Sequence, residues 1–232
     1  MKALTFDVFG TVVDWRTSIL AELRALGARK NVTVDWEAFL AEWRRAYRPG
    51  MDRVNSGEWP WTNVDVIYRR ALDLLLGTHG PAGLRETEID DLNRAWCRLT
   101  PWRDSIPGLT RLKTRYVIST LSNANFAWMV QMAKHARLPW DCVITAENAR
   151  CYKPRPEAYR AAIALLGLRP GEVMMVAAHN DDLRAARAEG MRTAFVPRPM
   201  EHGPAQTTDL VAEEAWDVMA TDLEDLAGRM RA

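Results

Sequence analysis

Ala3-Leu4-Thr5-Phe6-Asp7-Val8-Phe9-Gly10-Thr11-Val12-Val13-Asp14 decides the fold of this 232-residue chain. Ala3 to Phe9 is apolar, β-branched and aromatic, and it runs into a glycine, the grammar of a buried β-strand. The same grammar recurs at Tyr116 to Leu121, Asp141 to Ile144, Glu172 to Val176 and Thr193 to Val196, and more weakly at Trp216 to Met219. Continuous apolar runs, as opposed to alternating ones, belong to parallel strands covered by helices on both faces. Helical spacing fills the gaps at Phe126 to Ala136, Glu157 to Leu166, Leu183 to Glu189 and Leu223 to Met230, with Gly167 and Gly190 as stops. The pattern predicts an α/β fold, a doubly wound, Rossmann-like parallel sheet.

Between the first two strands lie roughly a hundred residues without a strand signal. Ser18 to Gly27, Trp36 to Tyr47, Val64 to Leu76 and Glu86 to Leu99 carry apolar residues at three- and four-residue spacing, which predicts amphipathic helices. Residues 15–106 therefore read as an inserted helical subdomain, and 1–14 with 107–232 as the α/β core. Seven of the ten tryptophans fall in the insertion, where most read as core. Trp59 and Trp61, in the proline-broken stretch Glu58-Trp59-Pro60-Trp61-Thr62, are expected to line a site between insertion and core. Pro197 to Asp209 reads as a mobile loop.

Hydrophobic residues make up 48% and charged residues 26%, enough for a sizeable core. The charge balance of 31 − 30 = +1 gives no basic excess for a nucleic-acid partner. Cys97, Cys142 and Cys151 form neither a disulfide framework nor a zinc signature, so a reducing compartment is expected. Asp7 and Asp14 interrupt the first apolar stretch, which is unlike a signal peptide. No apolar run approaches the ~20 residues of a membrane span. A soluble cytoplasmic protein with no membrane partner is expected.

Four features stand at the carboxyl ends of the expected strands, where open α/β sheets bind ligands. They are Asp7-Val8-Phe9-Gly10-Thr11, Ser122-Asn123, Tyr152-Lys153-Pro154 and Ala177-Ala178-His179-Asn180-Asp181-Asp182. In this order, Asp7 and Thr11, Ser122, Lys153 and Asp182 match the signature of the haloacid dehalogenase superfamily. Over essentially its whole length the chain resembles the 2-haloacid dehalogenase (type II, haloacetate dehalogenase-like) branch, and the helical insertion lies where that family places its cap.

The branch is chosen chemically. The superfamily's phosphatases use a second carboxylate two residues after the nucleophile to protonate the leaving group, and this chain has Phe9 there. Their metal-binding aspartate falls on Ala178 when the motif is aligned on Asp182. Phosphoryl transfer needs both parts. A halide leaves as a stable anion and needs only a cation or dipoles to receive it. The resemblance thus implies metal-independent conversion of short 2-haloalkanoic acids to 2-hydroxy acids, with no cofactor, through an aspartyl ester on Asp7. Lys153 supplies the compensating charge and Thr11 holds an oxygen of Asp7. Backbone N–H groups around Val8 and Phe9, with Ser122, bind the substrate carboxylate, and Asp182 serves as base or orienter for the hydrolytic water.

The resemblance further places the halide acceptor at Arg44, with Arg45 as the alternative, an amide that cradles halide at Asn123 and a site tyrosine at Tyr159. The terminal motif departs from better-known members: His179 and Asn180 stand in for their polar groups that orient water. Asp181 replaces an aromatic residue, so either it points away from the halide or it exchanges roles with Asp182. Relatives with the His-Asn-x-Asp pattern include some that accept fluoroacetate, and the branch implies a homodimer. Two other readings stand beside this one, a magnesium-dependent phosphatase for small metabolites that uses Asp181 as a ligand, and a binding protein without catalysis.

Overall fold

The computed structural model describes residues 1–81 and 83–232. Strand β1 (Ala3–Phe6) is fully buried. It stops three residues short of the sequence expectation because the chain turns back on itself after Asp7. Val8 O accepts from the N–H of Val12 and Val13, and Gly10 takes φ +90°, where glycine carries no Cβ penalty. After the two-residue strand β2 (Val13–Asp14) the chain enters the insertion: α1 (Trp15–Lys30), α2 (Trp36–Arg45), α3 (Tyr47–Asn55), α4 (Val64–Thr78) and α5 (Glu86–Asn93). A 3₁₀ turn at Arg94–Cys97 leads to β3 (Thr100–Pro101), which pairs antiparallel with β2 and brings the chain back beside its point of departure.

Two helices expected to be single are divided. The stretch Trp36 to Tyr47 ends its helix at Arg45 and starts another at Tyr47. Pro49 sits in the first turn of α3, where an N–H has no intrahelical partner in any case. Glu86 to Leu99 becomes α5 followed by the 3₁₀ turn. Asp14 and Asp35 cap α1 and α2 by accepting from the N–H of Thr17 and Ala38, 3.0 Å each.

The core alternates as expected: α6 (Ser105–Lys113), β4 (Val117–Thr120), α7 (Phe126–Ala136), α8 (Ala146–Ala149), α9 (Pro156–Leu166), β5 (Val173–Ala177), α10 (Asn180–Ala188), β6 (Arg192–Phe195), β7 (Val218–Met219) and α11 (Leu223–Arg229). The sheet order is β4-β1-β5-β6-β7, and every pairing in it is parallel. Asp141 to Ile144 is not the strand its composition suggested. It meets the sheet through single bridges at Ser119–Cys142 and Ser122–Thr145 and a few backbone bonds, among them Asp141 N–H to Ile118 O at 2.9 Å. Side chains take part of the ladder's place: the Asp141 carboxylate accepts from the Ile118 N–H, and Thr120 Oγ1 accepts from the Ile144 N–H.

Successive residues of β5 face opposite sides of the sheet. Met174 and Val176 join the cluster that runs from Leu4 and Phe6 into the insertion, while Val173, Met175 and Ala177 pack with Tyr159, Leu183 and Phe195. The insertion's own centre is aromatic: Tyr68 and Trp96 stack with centroids 4.3 Å apart, and Trp43 meets Trp96 edge-on at 5.5 Å. Cys97 and Cys151 are buried, Cys142 half-buried, and all three are free thiols. Among the described residues, no helix is long and apolar enough to cross a membrane.

Candidate active site

Asp7 leaves β1 at the carboxyl edge of the sheet, held between its neighbours by donating its N–H to Val176 O at 3.0 Å. The connection from β1 runs to β4 on one side and the next strand, β5, lies on the other, the switch point where such sheets bind ligands. Asp7 lies in the wall of a cavity of about 310 Å³, together with Phe9, Arg44, Tyr47, Met51, Ser122, Asn123, Lys153, Tyr159, His179 and Asp182. Core and insertion both contribute: Arg44 lies in the last turn of α2, and Tyr47 and Met51 lie on α3.

Lys153 Nζ donates to Asp7 Oδ1 at 3.0 Å and also to Asp182 Oδ2. Thr11 Oγ1 donates to Asp7 Oδ2 at 2.9 Å, and His179 Nδ1 stands 3.2 Å from the same oxygen. Burial alone would raise the Asp7 carboxyl. The Lys153 ammonium and the His179 ring outweigh it and hold the group far below the ordinary carboxylate range. Burial depresses the lysine, yet its two carboxylates carry it above its usual value. Burial lifts Asp182 in the opposite direction from Asp7, against the pull of Lys153. Two neighbouring carboxyls are thereby separated: one stays ionised as a nucleophile must, and the other is poised to accept a proton.

The other expected residues fall as follows. Tyr159 is buried and donates its hydroxyl to Asp182 Oδ1 at 2.6 Å, orienting that carboxylate. Asn123 accepts the Lys153 N–H at 2.8 Å, fixing the lysine's backbone at the cavity edge. Ser122 is buried in the wall, and its Oγ accepts from the Ala124 N–H. Among the described residues the N–H groups of Val8 and Phe9 donate to no protein acceptor, leaving them for an anionic ligand. Arg44, and not the exposed Arg45, lines the cavity. Tyr68 OH accepts from Arg44 Nη1 at 2.9 Å, and the guanidinium lies 4.1 Å from the Tyr47 ring centroid. Asp181 lies at the mouth of the cavity, with a half-exposed carboxylate 3.8 Å from Arg48, while Asp182 points inward to Lys153.

Three expectations are corrected. Trp59 and Trp61 do not line the cavity: Trp61 stacks on Tyr152 at 5.0 Å, and Trp59 lies beside the guanidiniums of Arg53 and Arg70. Tyr47 and Met51 of α3 already form that wall. Asn180 also faces away. Its amide donates to Asp209 and Val211 O and accepts from Trp216 Nε1 and the Glu213 N–H, which ties down the loop rather than a water at Asp7.

The segment 197–209, read as a mobile loop, is anchored by two buried charges. Arg198 donates to Thr11 O and to both oxygens of Asp104 at 2.7–2.8 Å. Glu201 accepts from Trp15 Nε1 and faces His179 Nε2, both at 2.9 Å. Burial would lower the His179 imidazole, but Glu201 and Asp7 hold it well above its ordinary value. Glu201 and Tyr47 escaped the sequence reading. Glu201 stands in a loop whose polarity resembles solvent-facing chain, and Tyr47 falls in a stretch whose spacing reads as an amphipathic helix.

Residues 1–190 match the family model of the haloacid dehalogenase-like hydrolases. The chain is 48% identical to the defluorinating L-2-haloacid dehalogenase Rha0230, whose crystal structure superposes with a TM-score of 0.96 over 100% of this chain and 96% of that one. It is 44% identical to the L-2-haloacid dehalogenase PA0810, with a TM-score of 0.97 over 100% and 99% of the two chains. The L-2-haloacid dehalogenase of Xanthobacter autotrophicus, solved with chloropropionic acid covalently bound, is 26% identical, with a TM-score of 0.80 over 100% and 99%.

Proposed function

The chain belongs to the haloacid dehalogenase-like hydrolases and, within them, to the 2-haloacid dehalogenases, hydrolases acting on carbon–halogen bonds; we propose that it converts short 2-haloalkanoic acids, fluoroacetate among them, to 2-hydroxy acids through an ester on Asp7. The observation that carries this reading is the Asp7 carboxylate, kept ionised beside Lys153 and His179 in the cavity wall, with Phe9 and Ala178 where a phosphatase needs carboxylates.

The substrate carboxylate sits against Ser122 and the N–H groups of Val8 and Phe9. Asp7 attacks the halogen-bearing carbon from the side opposite the halogen, and the C–X bonding pair leaves as halide toward Arg44. A water then adds to Asp7 Cγ with Asp182 as base, and the hydroxy acid departs. Tyr159 and Lys153 fix the direction of Asp182 in this step.

Halide release from fluoro-, chloro- and bromoacetate, measured with EDTA and with Mg²⁺, tests the reading. Release indifferent to EDTA is expected; magnesium-dependent hydrolysis of p-nitrophenyl phosphate without halide release would replace the dehalogenase with the phosphatase. One turnover in ¹⁸O water is expected to label Asp7 and not the product. Label in the product at first turnover would mean that water attacks the substrate directly.

A further inference from the structure

We infer that His179, positioned by Glu201, is a catalytic donor to the Asp7 oxygen that remains on the protein during ester hydrolysis, and that Asp7 Oδ1 is therefore the oxygen that bonds to substrate carbon. The inference rests on the ester pathway proposed above and assigns the two oxygens of one carboxylate to different tasks.

Their surroundings are unequal. Oδ1 accepts from Lys153 Nζ at 3.0 Å, whereas Oδ2 faces two donors, Thr11 Oγ1 at 2.9 Å and His179 Nδ1 at 3.2 Å. Thr11 Oγ1 itself accepts the Ala178 N–H at 2.9 Å, which leaves its own hydrogen for Oδ2. On its far side the histidine meets Glu201, whose other oxygen is occupied by Trp15 Nε1. An ionised carboxylate only accepts, so a ring set between Asp7 and Glu201 must carry hydrogen on both nitrogens. Glu201 is almost completely buried, and its charge faces His179 at one oxygen and Trp15 and His202 at the other.

The charge on Oδ2 changes in opposite senses in the two half-reactions. When the ester forms, a lone pair of Oδ1 bonds to carbon, the carbon–halogen bond breaks, and its pair leaves as halide; negative charge on Oδ2 falls. In hydrolysis, a water oxygen bonds to Cγ, its proton passes to Asp182, and the carbonyl pair moves onto Oδ2. On collapse that pair re-forms the carbonyl and the Cγ–Oδ1 bond breaks. Oδ1 leaves as the product's hydroxyl oxygen with the proton from Asp182. The water oxygen stays on Asp7, and its second proton goes to solvent. Donors that tighten only as charge arrives accelerate that step alone, so His179 serves hydrolysis and not ester formation.

Rapid-quench experiments with chloroacetate, reading released chloride and the mass of the Asp7 peptide, test this. His179→Asn is expected to release one chloride per site at close to the wild-type rate and then to accumulate carboxymethylated Asp7, its hydrolysis slowed about 10²–10³-fold, the usual cost of one oxyanion donor. Glu201→Gln leaves the ring without its partner. Its hydrolysis step is expected to gain a falling alkaline limb near the free imidazole value of about 6.5, absent from wild type, whereas a purely structural defect lowers the rate equally at every pH. Equal slowing of both steps, or a wild-type alkaline limb at that same pH, overturns the role of His179. Label from ¹⁸O water in the first-turnover product, with none in Asp7, overturns the ester pathway instead.

Discussion

Glu201 lies directly against Gly10: a Cβ on Gly10 would fall 2.1 Å from Glu201 Oε1. Gly10 also holds φ +90°, a region that costs an L-residue energy whatever the space around it. Gly10→Ala is therefore expected to destabilise the protein by about 1–3 kcal/mol and to lower turnover by pushing Glu201 off His179. Thermal unfolding and steady-state halide release check this pair of effects. Wild-type behaviour in both would show that the carboxylate can move freely.

Acid should separate the two half-reactions. Asp7 is held below the ordinary carboxylate value of about 3.9, so it stays anionic as pH falls, while Asp182 is held above that value and takes up its proton first. Ester formation is expected to survive to lower pH than hydrolysis, and samples quenched on the acid side of the hydrolysis limb are expected to show Asp7 esterified. A common acid limb for both steps would contradict the opposed shifts.

Arg44 is fixed by the Tyr68 hydroxyl and by stacking over Tyr47, a geometry that suits a planar guanidinium. Arg44→Lys is expected to slow ester formation by on the order of 10²-fold. The loss is expected to be larger for fluoroacetate than for bromoacetate, because fluoride is the poorer leaving group and draws more on the cation. Arg45→Gln, on the exposed side of α2, is the control. Equal losses for the two substrates in Arg44→Lys would argue that the residue binds the carboxylate and not the halide.

Much of the site was legible because strand ends and chain order carry it. Asp7, Thr11, Ser122, Lys153 and Asp182 each follow a strand-like or turn-like signal, and the parallel sheet brings their ends together. What composition hides is direction. Trp59 and Trp61 were read as site aromatics from their proline-broken context, yet rings find partners wherever a flat face is offered, and here those are Tyr152 and two arginines. Glu201 was hidden for the converse reason: a glutamate in a Pro- and Gly-containing loop has the composition of solvated chain, and only the fold brings His179 and Trp15 to it. At Asp141 to Ile144 the apolar, β-branched pattern was present, but side-chain acceptors and donors stood in for backbone ladder bonds.

The Arg198–Asp104 pair ties the loop after β6 to the start of α6 and to Thr11 O. Burial raises the Asp104 carboxyl, but Arg198 and the Leu223 N–H hold it below its ordinary value. Asp104→Asn leaves the guanidinium buried without its counter-charge and is expected to cost about 3–5 kcal/mol. A folded-state value lowered below the unfolded one stabilises above the unfolded value and loses that contribution as pH falls through the folded one. The difference between wild type and Asp104→Asn is thus expected in full at pH 7 and to shrink as pH falls below about 4. Denaturant titrations at the two pH values measure it; a pH-independent difference would assign the loss to packing.

Haloacetates are themselves thiol poisons, and they react with the deprotonated sulfur. Burial pushes the Cys97 thiol up to about 12 and raises Cys151 as well, so at neutral pH both sulfurs are held in the unreactive form. The burial of Cys97 therefore also shields the protein from alkylation by the haloacetates of the proposed reaction, and leaves the half-buried Cys142 as the position where such damage would first be found.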